Sequence, residues 1–436
     1  MSLAKRRRQV RWAKRLRRLG LMWQNALEIA RAGRLTAPYG APFAVMHEER
    51  VYRLRRYEQM AAVRDGADQH ALRVQAPLLL VPPLMVASEV YDIAPDVSAI
   101  AFLQTRGIDV WLVDFGAPER EEGGMSRTLD DHVRAVAEAL ERVHDATAQP
   151  VHLAGYSQGG MFCYQAAAFA RGANLASIIT MGSPVDLHRT VKLGEETTER
   201  LVAGLRTALA WPISHMEGLP GMLTSTVFKL LSARKEATQL VEFAKNLHDR
   251  SALEKREAKR LFLGGEGFVA WPGPAFRKFV DELIVGNRMQ SGGFVIDGQT
   301  VTLADLTCPI LYFVGSRDAM GRPAAVRGIR RAAPRVETMY EVPLKAGHFG
   351  LVVGSTALAT TWPSVVEWMC WLEGAAGPPA LGFDVRRADI EDPQPELGDD
   401  DDDEHDDEGT LDIARDVAAK TAHAAFEQLA TWAEDL

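Results

Sequence analysis

From residue 77 the chain alternates short, almost uninterrupted apolar runs with stretches of helical periodicity, and this alternation constrains the fold more than any other feature. The runs are Pro77 to Val81, Asp109 to Val113, Val151 to Ala154, Ala176 to Met181, Ile310 to Val314 and Val336 to Val342. Helical patterns fall between or after them at 95–105, 128–147, 159–171, 322–333 and 356–373. A strand that is apolar on both faces must be covered on both faces, and helices that bracket such strands supply the cover. The expectation is an α/β fold with a mostly parallel, doubly wound sheet. Thr128-Leu129-Asp130-Asp131 has the residues of a capping box at a helix start, and Val51 to Tyr57 suits an antiparallel edge strand. Between Met181 and Ile310 the rhythm stops for well over a hundred residues of mostly helical character. That is too long for a connection and predicts an inserted helical lid, 188–300, between core segments 41–187 and 301–375. A lid at this point sits over the carboxyl ends of the strands, where open α/β sheets bind ligands.

The run Val151-His152-Leu153-Ala154 leads into Gly155-Tyr156-Ser157-Gln158-Gly159-Gly160, and a helical stretch follows. This is Gly-x-Ser-x-Gly between a strand and a helix, the context in which the glycines permit a crowded turn that exposes the serine hydroxyl. At the helix start the Gln158 N–H is placed to stabilise an oxyanion. The α/β-hydrolase fold requires an acid and then a histidine further along the chain, and both are present. Asp318 follows the run Ile310 to Val314, and His348 sits in Lys345-Ala346-Gly347-His348-Phe349-Gly350. His348 would take the serine proton while Asp318 fixes its tautomer. Asp186, after Ser183-Pro184-Val185, also follows a strand and is the alternative acid. The second oxyanion donor is expected after Leu78 to Val81, where Pro82 and Pro83 have no N–H, which leaves Leu84 or Met85; Leu84 is the choice. Met85, Tyr156, Trp211 and Trp271 are candidate substrate contacts, with Trp211 and Trp271 equally able to form the lid's own core.

With 436 residues, 47% hydrophobic content and three cysteines, the chain is neither a disordered tail nor a disulfide-stapled miniprotein. Cys163, Cys308 and Cys370 read as reduced core thiols, and neither a metal nor a cofactor is called for. Residues 1–18 carry nine basic side chains and no acid, whereas 391–408 carry twelve acidic side chains and no base. Region 1–40 has Trp12, Leu16, Leu19, Trp23 and Leu27 at helical spacing among Arg and Lys, which suits a helix on an anionic membrane or lipid-droplet surface. The same stripe would equally serve to pack the helix on its own domain. Residues 376–410 read as an acidic, self-repelling linker and 411–436 as an amphipathic helix. Nothing approaches the apolar length of a signal peptide or a spanning helix, so the expected location is cytoplasmic, with peripheral attachment at a lipid surface through residues 1–30. No nucleic-acid partner is expected, because nothing outside the first turns extends a basic surface.

In combination, several stretches resemble the polyhydroxyalkanoate synthases and their intracellular depolymerase relatives. They are Val81-Pro82-Pro83-Leu84, Tyr91-Asp92-Ile93-Ala94-Pro95, Asp114-Phe115-Gly116-Ala117-Pro118, Leu129-Asp130-Asp131-His132-Val133, the serine elbow, and Gly347-His348-Phe349-Gly350-Leu351-Val352-Val353. In the lid, Trp271-Pro272, Phe276, Phe279, Asn287-Arg288-Met289 and Gly292-Gly293 add to the likeness, which covers about residues 77 to 370. The chain departs at the nucleophile, where the synthases use cysteine and this chain has Ser157, and at Ala319, where the family usually has a histidine after the acid. It also looks like the lipase-type half of actinobacterial fusions to acyl-CoA synthetases. A serine ester is less activated than a thioester and drifts towards hydrolysis by water. The leading expectation is therefore a serine hydrolase acting on lipid or polyester substrates with apolar acyl chains. The alternatives are an acyltransferase or synthase that draws on acyl-CoA, and a non-catalytic scaffold on a lipid surface or granule.

Overall fold

The computed structural model describes residues 3–58, 74–190, 218–219, 243 and 245–386. All of them fall in the first of two units, Met1–Asp389; the second, Ile390–Leu436, lies outside the described residues, as do the expected terminal helix and the expected linker beyond residue 386, whereas the first part of that linker belongs to the fold, Phe383–Asp384 pairing as a strand with Glu341 and Tyr340. The chain opens with α1 (Leu3–Ala32), followed by an antiparallel pair, β1 (Phe43–Glu48) and β2 (Arg53–Tyr57). Then come β3 (Leu78–Val81), α2 (Ala99–Thr105), β4 (Val110–Asp114), α3 (Leu129–Thr147), β5 (Val151–Tyr156), α4 (Gln158–Phe169) and β6 (Leu175–Met181). The insertion contributes β7 (Gly218–Leu219), α5 (Arg250–Leu261), β8 (Trp271–Pro272), β9 (Phe294–Ile296) and β10 (Gln299–Val301). The core resumes with β11 (Ile310–Gly315), β12 (Met339–Leu344), α6 (Trp362–Leu372) and β13 (Phe383–Asp384). The main sheet has nine strands in the order β1-β2-β4-β3-β5-β6-β11-β12-β13, parallel from β4 to β12 and antiparallel at both edges.

The apolar runs are buried on both faces because successive strand side chains point to opposite sides. Leu79, Val81, Leu153, Ile178, Ile310 and Tyr312 enter one core with α3 and α4, whose Val133, Val136, Leu140 and Phe162 cover them. Leu78, Leu80, Ala154, Ile179, Leu311 and Phe313 enter the other with α2 and α6, through Ile100, Leu103, Trp362 and Trp368. The expected capping box is formed: the Thr128 hydroxyl accepts from Asp131 N (3.1 Å) and the Asp131 carboxylate accepts from Thr128 N (2.8 Å). Register aligns the carboxyl ends of the central strands, with Val81 beside Gly155, Tyr156 beside Met181, and Gly315 beside Leu344. Everything that follows those strands is delivered to one edge of the sheet.

Some elements differ from the sequence expectation. The helix expected over 322–333 is two short turns, Pro323–Val326 and Ile329–Ala332. The one expected over 356–373 begins with a π-helical turn, Ala357–Thr361, before α6, and Pro363 at the start of α6 has no N–H to continue the α pattern backwards. Among the described residues, the insertion holds short strand pairs as well as helices, since β7 pairs with β8 and β9 with β10. Strand β1 gave no period-two signal because it is exposed along almost its whole length.

Two histidines are sealed in the core. His132 lies against Phe115 and Phe162 with its Nδ1 donating to Thr128 O (2.6 Å), and His152 pairs with the Ser177 hydroxyl (2.8 Å). Burial holds the first imidazole down to about 4 and the second to about 3. Both are therefore neutral in the fold while the unfolded chain takes up protons below about pH 6.5. Their contribution to stability should be constant above that pH and fall as the pH drops from about 6.5 towards 4, by up to about 1.4 kcal/mol per pH unit for each histidine. Urea midpoints measured between pH 7 and 4.5 should fall less steeply in His132→Phe than in the wild type; parallel slopes would show that His132 is not the neutral group inferred.

Candidate active site

Strand β5 ends in a turn that places Ser157 at φ 54, ψ −123, a left-handed conformation that costs a side-chain-bearing residue about 1–3 kcal/mol. Its N–H donates to Met181 O (2.9 Å), which ties the turn to β6. The flanking glycines are required by contact: a Cβ on Gly159 would lie 2.1 Å from Val81 O, and one on Gly155 2.4 Å from the Gly159 carbonyl carbon. The turn closes only because α4 can press its first residues against β3.

The Ser157 Oγ is 2.9 Å from His348 Nε2, and His348 Nδ1 is 2.7 Å from Asp318 Oδ2. Asp318 is 3% exposed, and its other oxygen accepts from Met320 N (2.9 Å) and Gly321 N (2.8 Å). Those two bonds fix the carboxylate plane and leave Oδ2 to accept the imidazole N–H, so that Nε2 is free to take a proton from the serine. Asp186 is placed elsewhere, accepting from Asn287 Nδ2 (2.9 Å) and Arg331 (2.8 Å). The geometry therefore puts Asp318, rather than Asp186, against His348.

Gln158 opens α4, so its N–H has no acceptor within the helix and lies beside the nucleophile. Leu84, 2% exposed, is brought to the same place, but its N–H donates to the Gln158 side-chain oxygen (3.2 Å). The Gln158 amide nitrogen is buried and has no protein acceptor. Tyr156 is buried under the imidazole, with ring centres 4.9 Å apart, and burial, followed by the Asp318 charge, pushes its phenol well up. Met85 is partly buried against both cores and accepts from Val269 N (3.2 Å). Trp271 is buried with its ring 4.9 Å from Phe276 and 5.0 Å from Phe279, inside the packing of the insertion. Trp211 lies outside the described residues. Among the described residues no group of three His, Cys, Asp or Glu side chains is placed to hold a metal.

Three supporting residues have no role assigned by the sequence alone. Gly182, at φ 59, could not carry a Cβ, which would sit 2.9 Å from Asp318 Oδ2 and 3.4 Å from His348 Nδ1. Its place directly after an apolar strand was the available signal. Gly321 donates to the acid and passes close over Gly182, where a Cβ would meet the Gly182 carbonyl oxygen at 2.3 Å. Tyr91 joins β3 to β5, donating to Val81 O (2.8 Å) and accepting from Tyr156 N (3.1 Å).

The sequence model of the alpha/beta hydrolase fold matches residues 89–355, a span that contains Ser157, Asp318 and His348. The chain belongs to the α/β hydrolase fold family. Within that family it resembles the polyhydroxyalkanoate synthase branch. The poly(3-hydroxyalkanoate) polymerase subunit PhaC of Allochromatium vinosum is 27% identical over 301 residues, covering 67% of this chain and 80% of that protein. The PhaC of Haloarcula marismortui is 26% identical over 364 residues, 83% of this chain and 72% of that protein. Among solved structures, a monoacylglycerol lipase from Paleococcus ferrophilus overlays with TM-score 0.43 and 17% identity, covering 69% of this chain and 96% of the lipase.

In this α/β hydrolase, Asp318→Asn should lower kcat on an ester substrate by about three to four powers of ten, because the histidine would then adopt the wrong tautomer. Asp186→Asn should leave kcat within about threefold and lower the melting temperature instead, through loss of the Arg331 ion pair. Steady-state kinetics and thermal melts on the two variants separate the acids.

Proposed function

We infer that the chain is a serine ester hydrolase acting on substrates with apolar acyl chains. One observation carries this reading: the continuous relay from Ser157 Oγ through His348 to Asp318, at 2.9 Å and 2.7 Å. In the proposed mechanism the Ser157 oxygen attacks the ester carbonyl as His348 Nε2 takes its proton. The carbonyl oxygen gains negative charge, which the Gln158 N–H stabilises. The same oxygen displaces the Gln158 side-chain oxygen from the Leu84 N–H, which adds a second donor only once charge has developed. Imidazolium returns the proton to the departing alcohol, leaving an acyl group on Ser157. Water, deprotonated by His348, then attacks the acyl carbonyl, releases the acid and restores the serine. The half-buried Phe349 ring beside His348, backed by the buried Tyr156 and Phe268, supports an apolar acyl group over a charged one.

A second reading is acyl transfer from acyl-CoA to a hydroxyl, favoured by the similarity to proteins named as poly(3-hydroxyalkanoate) polymerase subunits. It shares the acyl-enzyme and differs in what attacks it. Serine in place of the synthase cysteine favours hydrolysis, because an oxygen ester on the enzyme holds less transfer potential than a thioester.

p-Nitrophenyl esters from acetate to palmitate should be hydrolysed by the wild type, with kcat reduced by about a thousandfold or more in both Ser157→Ala and His348→Ala. Equal rates in all three proteins would exclude this site. With a short-chain acyl-CoA and an alcohol, free acid should be the main product; accumulation of the new ester would favour the transferase reading instead.

A further inference from the structure

Helix α1 is fastened to the body by its polar side. Asn25, 5% exposed, donates to Leu247 O (2.9 Å), Arg18 donates to Lys245 O (3.2 Å), and Glu28 pairs with Arg250 at 2.5 Å. The chain just beyond the helix is held by the buried Glu257 carboxylate, which accepts from Leu35 N (2.8 Å), Thr36 N (2.7 Å) and the Thr36 hydroxyl (2.8 Å). At about 100° per residue, Trp12, Leu16, Leu19, Trp23 and Leu27 fall within one narrow sector, and Asn25 lies far round the helix from it. The stripe accordingly faces away from the protein: Trp12 is 55%, Leu16 63%, Leu19 59% and Trp23 73% exposed. Packing on the chain's own domain is thus done by the polar face, and the apolar face is left over.

Charge identifies what would cover it. The first acidic residue of the chain is Glu28, which lies on the docked side, and residues 1–18 carry nine basic side chains and no acid. A water-facing row of Trp and Leu on a segment that is strongly basic and carries no acid before Glu28 matches a surface with an apolar interior and anionic headgroups, with the indoles at the boundary between them. The acidic stretch 391–408 would complement the charge, but its sole large apolar residue is Leu397, so it offers nothing to the stripe. The helix does not cross such a surface, since no helix among the described residues is long and apolar enough to span a membrane.

We propose that α1 is a docking surface for an anionic lipid interface, bound through Trp12, Leu16, Leu19 and Trp23 with the net positive charge of the segment supplying attraction. The docked helix would lie along the lipid, and its attachment to residues 245–257 would hold the hydrolase domain against the surface. The inference does not depend on the catalytic reading.

The full-length protein is floated through a density gradient with vesicles of equal parts phosphatidylglycerol and phosphatidylcholine, and separately with phosphatidylcholine alone. The wild type should float with the anionic vesicles, more weakly as salt is raised, and stay largely at the bottom with phosphatidylcholine. The triple variant Trp12→Ser/Leu16→Ser/Trp23→Ser should bind anionic vesicles at least about tenfold more weakly. Its melting temperature and its rate on a water-soluble ester should match the wild type, because the stripe supports neither the core nor the site. Failure of the wild type to float, or equal flotation of the variant, would overturn the proposal. So would a wild-type dimer in sedimentation that the triple variant converts to monomer without any vesicle binding, since a second copy would then be the occupant.

Discussion

The approach of Gly159 to the Val81 carbonyl is the contact on which the catalytic architecture depends. It brings the start of α4 against the end of β3, and this fixes three things together: the left-handed backbone of Ser157, the position of the Gln158 N–H, and the distance between that N–H and the loop carrying Leu84. A methyl group at 159 would occupy the Val81 oxygen and push the two elements apart. Tyr91 reinforces the junction from the other side by hydrogen-bonding Val81 O and Tyr156 N. The strain at Ser157 is thus over-determined by neighbours on β3 and β6, the condition under which such a conformation persists.

How far the residues could be read without the structure follows from where each one sits. Ser157, Asp318 and His348 were legible because each lies just past an apolar strand in an order specific to the fold. The choice between Asp318 and Asp186 was not, because both follow parallel strands; the 2.7 Å contact of Asp318 with His348 Nδ1 and the ion pair of Asp186 with Arg331 distinguish them. The engagement of Leu84 by the Gln158 side chain was hidden because it is a side-chain contact across 74 positions that no local pattern encodes. Edge strand β1 was missed for a simpler reason: with neither face buried, its residues had no need to alternate.

The oppositely charged ends take on separate meanings. The basic end is a described helix with its polar face docked and its apolar face outward, which resolves in favour of exposure the two ways its periodicity could be used. The acidic end remains a property of the sequence alone. Neither contributes a residue to the relay, which is carried entirely by the ends of β5, β11 and β12. Chemistry and placement are therefore divided between different parts of the chain.

The central claim is that Ser157 carries the acyl group during turnover. The most direct measurement is intact-protein and peptide mass spectrometry on an ester reaction stopped with acid within the first turnovers. Chemistry at Ser157 predicts a mass gain of one acyl group, located on the peptide containing Gly155-Tyr156-Ser157-Gln158-Gly159. Turnover with no adduct, or an adduct on any other residue, would contradict it.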